Sequence, residues 1–286
     1  MAWIVVIGTV ARDEVIRLVE PVRPGAHLNG VLAGSRLGGG GANTAVTLAG
    51  AGHRVTLVSA VGRDAHADWL LRELATAGVD TSQVARINRP TTHSVVLVDP
   101  FGERTIANLG RCEEDEPPHR LRDLAADAVF VRSRRRDLGP LLAEKAGTSL
   151  VVAHVPPMDP GSLPAQILVA SRSDLGDEVV RNLWAHGKVV AGEGLRWFIV
   201  TGGPIGAQAI SPDQTLEARA ETVEPVDTTG AGDAFAAGLV HALVKGWSMS
   251  EALALAVRLG TEATRWPVSA LPPEAVRRVL GSQAQP

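Results

Sequence analysis

Residues 226–239, VDTTGAGDAFAAGL, bring together the ingredients of phosphate chemistry. Gly230 and Gly232 stand at the head of a helix-forming run, where the first backbone N–H groups have no intrahelical partner. Those donors lie at the positive end of the helix dipole and form an anion site that needs no charged side chain. Asp233 falls within the same first turn. A carboxylate beside an anion cradle suits phosphoryl transfer to a hydroxyl. The carboxylate takes the hydroxyl proton while the amides neutralise charge developing on the transferred group. The spacing alone also fits a plain glycine-rich turn with Asp as a helix-opening residue.

A second cluster lies near the N-terminus. Four glycines, residues 38–41, precede another helix-forming run, and Asn43 offers both a donor and an acceptor to a sugar hydroxyl. A flexible turn with a capping Asn is the alternative there. No Gly-Lys-Ser/Thr follows, so this is not a Walker loop. Asp13, after the first strand-like run, can hold two hydroxyls or be an ordinary loop carboxylate. Residues 198–206, FIVTGGPIG, end an apolar run in glycines, a pattern shared by many α/β proteins. The basic run 132–136, RSRRR, follows another strand and reads either as a solvated loop or as a phosphate contact. Arg104, in a turn-rich hairpin, is a second candidate of that kind.

Composition sets the frame for these residues. The 286 residues are 45% hydrophobic and 21% charged with net charge −3, which excludes disorder and gives no basic footprint for nucleic acid. The single Cys112 excludes a disulfide framework and fits a reducing compartment, and the eight His show no metal-ligand spacing. No apolar run reaches the roughly 18 residues of a membrane span, and no secretory leader is visible, so the expected location is cytoplasmic. Thirty glycines stand against ten aromatics, and 25 Arg against three Lys.

The elements that must position these residues follow from periodicity. Residues 3–8 and 54–61 read as buried strands, and 15–20 as a half-exposed one. Asp64 caps a helix whose Ala67, Leu70, Leu71 and Leu74 share one face. Residues 91–109 form a hairpin around Pro100 and Gly102 that breaks the strand–helix alternation. Strands near 127–131, 148–153, 166–170 and 195–201 alternate with helices from 137 and at 177–186. The last third reads as helical, over 231–245, 249–265 and 273–280. This order predicts an α/β fold with a mainly parallel, doubly wound sheet. The displaced strands, about 15–34 and 91–109, are expected to form a small separate sheet within one domain, 1–286.

With both glycine segments in place, the chain resembles the ribokinase/PfkB carbohydrate kinases. VDTTGAGDAFAAGL resembles that family's C-terminal signature, and residues 37–64, LGGGGANTAVTLAGAGHRVTLVSAVGRD, its N-terminal one. The resemblance implies a ribokinase-like, Rossmann-type three-layer sandwich with a β-sheet lid. It implies ATP-dependent phosphorylation of a hydroxymethyl group of a sugar or sugar-like molecule. Asp233 would be the base, with Gly230, Ala231 and Gly232 as the anion hole. Asp13, Gly39, Gly40 and Asn43 would bind substrate, with Arg104 beside them. Thr201, Gly203 and Gly206, with Thr228 and Gly260, would bind the nucleotide. Asp227 would help hold a monovalent cation, K⁺, and a homodimer would form through the lid.

Two departures stand out. Many relatives carry Lys in the glycine run where Gly40 sits, and an Asn-x-x-Glu motif for Mg²⁺ is replaced by Ser171 and Asp174. Asp174 keeps an acceptor that reaches Mg²⁺ through water. A nucleoside kinase is one competing expectation, disfavoured by Phe101 being the lone lid aromatic. A non-catalytic sugar- or nucleotide-binding homologue is the other.

Overall fold

A computed structural model of the chain describes residues 1–281. Its centre is a sheet of ten strands. The parallel core contains β1 (Trp3–Gly8), β4 (Arg54–Val61), β9 (Ala128–Arg132), β10 (Leu150–His154), β11 (Ile167–Ser171) and β12 (Trp197–Thr201). The short strands β5 (Val79–Asp80) and β6 (Val84–Arg86) both pair with β4 at one edge. At the other edge, β13 (Ala207–Ile210) and β14 (Thr215–Ala218) add an antiparallel hairpin. That hairpin corrects the expectation of a purely helical last third. Each of its strands is only four residues long, too short for alternation to stand out against the SPDQ turn between them.

The core strands are buried on both faces, which explains continuous apolar runs such as WIVVIG. Side chains alternate across the sheet. Ile4, Val6, Leu57, Val152, Val169 and Ile199 join one apolar layer. That layer is completed by α1 (Gly40–Gly50), α2 (Ala65–Thr76), α6 (Ala231–Val244), α7 (Met249–Ala263) and α8 (Pro273–Gly281). Val5, Ile7, Val129, Val131, Leu168 and Val200 face the opposite layer, covered by α3 (Gly139–Ala146) and α5 (Leu183–Ala191). The helix expected over 177–186 is two pieces, α4 (Asp177–Arg181) and α5, separated at Asn182. The α2 start is as expected, with the Asp64 carboxylate accepting from Ala67 N at 2.9 Å.

The displaced strands form a four-stranded sheet in the order β3-β2-β7-β8. They are β2 (Ala11–Leu18), β3 (Gly30–Gly38), β7 (His93–Val98) and β8 (Arg104–Gly110). The β2–β7 pair is parallel and the outer two pairs are antiparallel. This lid continues straight from β1 and runs straight into α1, so it stands over the carboxyl ends of the parallel strands. In an open α/β sheet that is where ligand crevices form.

Candidate active site

The site is built where the N-termini of α1 and α6 meet beneath the lid. Gly230 precedes α6 with φ 78°, and a Cβ there would come 1.7 Å from the Ser269 carbonyl oxygen. Only glycine permits that turn. The α6 N-terminus has no side-chain cap, and a Cβ on Gly232 would meet nothing within 4 Å. Ala231 N donates to the Thr228 carbonyl at 3.4 Å, and open space lies beside Gly232 at the positive helix end.

Asp233 follows in the first turn of α6, 8% exposed. Its Oδ2 accepts from Asn43 Nδ2 at 2.8 Å, and its Oδ1 lies 3.5 Å from Arg132 Nε. Burial pushes its carboxyl above the usual carboxylate range, opposed by Arg132, the Asn43 amide and Arg104. Oδ1 is thus the oxygen left to receive a proton, on a carboxylate that holds protons more tightly than one in water.

Asn43 spends its amide donor on Asp233 and leaves its buried Oδ1 without a protein partner. That oxygen is the acceptor available to a ligand hydroxyl. Gly39 and Gly40 sit against protein atoms. A Cβ on Gly39 would lie 2.4 Å from the Thr9 carbonyl oxygen, and one on Gly40 would lie 2.6 Å from Arg132 Cγ. Arg132, at the end of β9, thus crosses the space beside Gly40 on its way to Asp233. Its Nη1 lies 2.6 Å from Nδ1 of buried His154, whose ring burial and the Arg132 charge keep neutral. Arg135 and Arg136 pair instead with Asp137 and Asp159. Within the basic run, the structure brings Arg132 to the site.

Asp13 lies in β2, 5% exposed, and its Oδ2 accepts from Ser269 Oγ at 3.3 Å. Burial raises its carboxyl to about 6, opposed chiefly by Arg36. A Cβ on Gly38 would lie 1.9 Å from Asp13 Oδ2, so the first glycine of the run makes room for this carboxylate. The lid also touches the anion-hole loop. Thr228 N donates to the Gly102 carbonyl at 2.9 Å, and Arg104 Nη1 lies 3.4 Å from Thr228 Oγ1.

Thr201 ends β12, with its hydroxyl donating to the Ala170 carbonyl at 3.3 Å. Gly203 has φ 59° with nothing within 4 Å of a Cβ, whereas a Cβ on Gly206 would meet the Ala218 oxygen at 2.0 Å. Gly203 leaves open space, and Gly206 packs the turn onto β14. Gly260 lets α7 approach α6, its Cβ position lying 3.2 Å from the Ala231 oxygen. Ser171, expected near magnesium, pairs in register with Thr201, and its hydroxyl lies 2.7 Å from that of Ser173. Asp174 is exposed in the turn that follows. One exposed carboxylate beside this loop suits a magnesium ion held mainly by phosphate oxygens and water. No group of three or more His, Cys, Asp or Glu that could hold a metal unaided occurs among the described residues.

Asp227, expected to help hold a monovalent cation, is fully buried, and both of its carboxylate oxygens accept from protein donors. Its Oδ1 accepts from Thr229 N at 2.8 Å and its Oδ2 from Arg36 Nη1 at 2.8 Å. Arg36, Arg132, His154 and Ser269 were not among the single-residue candidates of the sequence. Only Arg132 carried a signal there, as the first residue of the RSRRR run. The other three gain their meaning from partners far away along the chain.

The chain is similar to known proteins in sequence and in fold. The pattern of the pfkB family carbohydrate kinases matches residues 1–136 and 162–269. A ribokinase of Staphylococcus aureus is 25% identical over 283 residues, covering 91% of each chain. An ATP-dependent ribose-1-phosphate kinase of Halopiger xanaduensis is 30% identical over 238 residues, covering 78% of each. Among solved structures, an Arabidopsis thaliana ribokinase complexed with ribose and ATP superposes with a TM-score of 0.74. That structure is 22% identical and covers 97% of this chain and 98% of its own.

Proposed function

The chain belongs to the pfkB family of carbohydrate kinases, and we propose that it transfers the γ-phosphoryl group of ATP to a hydroxymethyl group of a sugar. The observation that carries this reading is the placement of Asp233. Its carboxylate stands at the uncapped N-terminus of α6, with Oδ2 held by Asn43 and Oδ1 turned to Arg132 Nε at 3.5 Å.

In this reading the sugar lies between the lid and α1. Asp13 accepts from its hydroxyls, and Asn43 Oδ1 accepts from another. The Thr201, Gly203 and Gly206 loop, with Thr228 and the small residues of α7 around Gly260, takes the nucleotide. Asp233 Oδ1 accepts the hydroxyl proton as the sugar oxygen bonds to the γ-phosphorus and the bond to the β-phosphate oxygen breaks. The products are a sugar phosphate and ADP, and Asp233 later returns its proton to solvent. The 230–233 amides stabilise charge on the group in flight. Magnesium, when bound, neutralises charge on the nucleotide phosphates, and Asp174 would hold it through water. Arg132 supplies fixed positive charge beside the base, at the place where Gly40 stands in for the Lys of many relatives.

One observation favours a substrate that already bears an anionic group. Arg104, which is exposed, and Arg132 both act electrostatically on Asp233 from the substrate side. A sugar phosphate would match this charge, as would the substrate named for the Halopiger relative. A nucleoside is less well served, because Phe101, the one lid aromatic, is 68% exposed. Val31, Leu32, Ile106 and Leu109 leave an exposed apolar surface on the lid, which supports pairing of two copies there.

An ADP-release screen with Mg²⁺-ATP tests the reading across pentoses, hexoses, sugar acids, sugar phosphates and nucleosides. The expected result is turnover with a sugar or, with lower KM, its phosphate. Binding of those compounds without ADP release would contradict catalysis. Turnover with nucleosides alone would overturn the substrate class.

A further inference from the structure

Asp227 sits two residues before Thr229 and three before the anion-hole Gly230, with no exposed surface. A buried carboxylate is tolerable only when paired and fully hydrogen-bonded. Arg36 Nη1 supplies the pairing, lying 2.8 Å from Asp227 Oδ2 and 3.1 Å from the Pro267 carbonyl oxygen. One guanidinium nitrogen therefore gathers a carboxylate and a backbone carbonyl from two different loops. A carboxylate and a carbonyl converging on one point are the oxygen ligands a hard cation takes. Here the point is occupied by a side chain of the protein itself.

Arg36 also belongs to the lid. It lies in β3, in register with Asp13 of β2. Its side chain is 15% exposed, and its Nε and Nη2 are buried without a hydrogen-bond partner. The same loop is gripped again by Ser269, whose hydroxyl donates to Asp13 and whose carbonyl packs against Gly230. Asp13, Arg36, Asp227 and residues 267–269 thus form one polar connection between the lid and the transfer site.

We propose that the Arg36 guanidinium is the built-in monovalent cation of the anion-hole loop, so that phosphoryl transfer by this kinase needs no K⁺. The charge of an arginine is permanent across the working pH range, and it is delivered by the lid. Arg36 is a positioning residue. It holds Asp227, and through Asp227 the Thr229 amide and the loop leading to Gly230. The proposal rests on the kinase reading for its catalytic arm and on the ion-pair geometry alone for its binding arm.

Two measurements test it. In the first, ADP release is followed at constant ionic strength in K⁺, Na⁺ or choline salts. Wild type should keep kcat and KM within about twofold in all three. Arg36→Ala should lose about tenfold to a hundredfold in kcat in choline, and K⁺ or millimolar guanidinium should restore a large part of it. Arg36→Lys, which keeps one charge, should retain more activity than Arg36→Ala and stay insensitive to K⁺. In the second, thermal melting without substrate is compared in the same salts. K⁺ should raise the melting temperature of Arg36→Ala relative to choline and leave wild type unchanged. This arm needs no turnover, so it stands or falls apart from the kinase reading. Strong activation of wild type by K⁺ would overturn the proposal. So would an Arg36→Ala protein that is folded but shows no response to K⁺ or guanidinium in either assay.

Discussion

Helices α1 and α6 both open on glycines, both lack a side-chain cap, and both reach the same carboxylate. Their glycines nevertheless do different work. In the run before α1, the missing side chains make room for protein. Gly38 faces the Asp13 carboxylate, Gly39 the Thr9 carbonyl, Gly40 the Arg132 side chain and Gly41 the backbone of Gly8. Before α6, Gly230 is likewise demanded by protein, through its positive φ and the Ser269 carbonyl, but Gly232 faces open space. The first segment is a packed hub that positions charged groups. The second is a turn that requires glycine, followed by a helix start with no side-chain cap and open space beside Gly232. A glycine-rich sequence therefore announces close backbone approach without saying what approaches, and of these two segments the second leaves space beside one of its glycines.

Single added methyl groups can break this contrast. Gly232→Ala adds a methyl where no protein atom lies within 4 Å and where the backbone is helical. Stability should hold or rise by about 0.5 kcal/mol, while kcat falls about a hundredfold because the methyl stands in the anion cradle. Calorimetry and ADP release on the same sample check this, and a fully active variant would mean that the cradle lies elsewhere. Gly40→Ala meets the flexible Arg132 side chain at 2.6 Å and Asp233 Oδ1 at 3.0 Å. Arg132 can swing aside, so a smaller loss is expected, about tenfold in kcat/KM, with a shift in the pH profile as the charge beside Asp233 moves. Loss of folding in that variant would show that the hub is rigid rather than yielding.

The smallest effect sharpens the same comparison through Asp13. Burial raises its carboxyl from 3.8 to about 6, so the folded protein holds this proton more tightly than the unfolded chain. Stability is then fully present below the unfolded value and declines as pH rises through the interval between 3.8 and about 6. Asp13→Asn should therefore raise the melting temperature at pH 8 by about 2–4 °C, with the gain vanishing near pH 4, and should raise the sugar KM. A lower melting temperature at pH 8 would show that the Arg36 attraction outweighs burial. The same raised carboxyl gives wild-type kcat/KM an acid limb, with activity lost as pH falls through about 6.

Much of this was legible in the chain. The run RVTLVSAV matched β4 to the residue, and Asp64 capped α2 as its position suggested. The two glycine signatures located Asp233, Asn43 and the family itself. These signals are local, because a helix start or a buried strand is written in a dozen consecutive residues. Arg36 is the opposite case. Its partner Asp227 is 191 residues away, and nothing near Arg36 distinguishes it from the other basic side chains of this arginine-rich chain. The same holds for Ser269, which reaches Asp13 across 256 residues. His154 ends an unremarkable apolar strand, and its value comes from Arg132 on the neighbouring one. Pairing between loops is set by the sheet order, and that order is known only once the fold is.

In the proposed reaction phosphate is transferred at the α6 N-terminus and Asp233 Oδ1 takes the proton. Asp233→Asn keeps the side-chain shape and removes the base. Single-turnover transfer from ATP to the best sugar from the screen should fall by about a thousandfold or more, with ATP affinity within about threefold of wild type. Transfer by Asp233→Asn within about tenfold of wild type would contradict the claim and move the base elsewhere in the site.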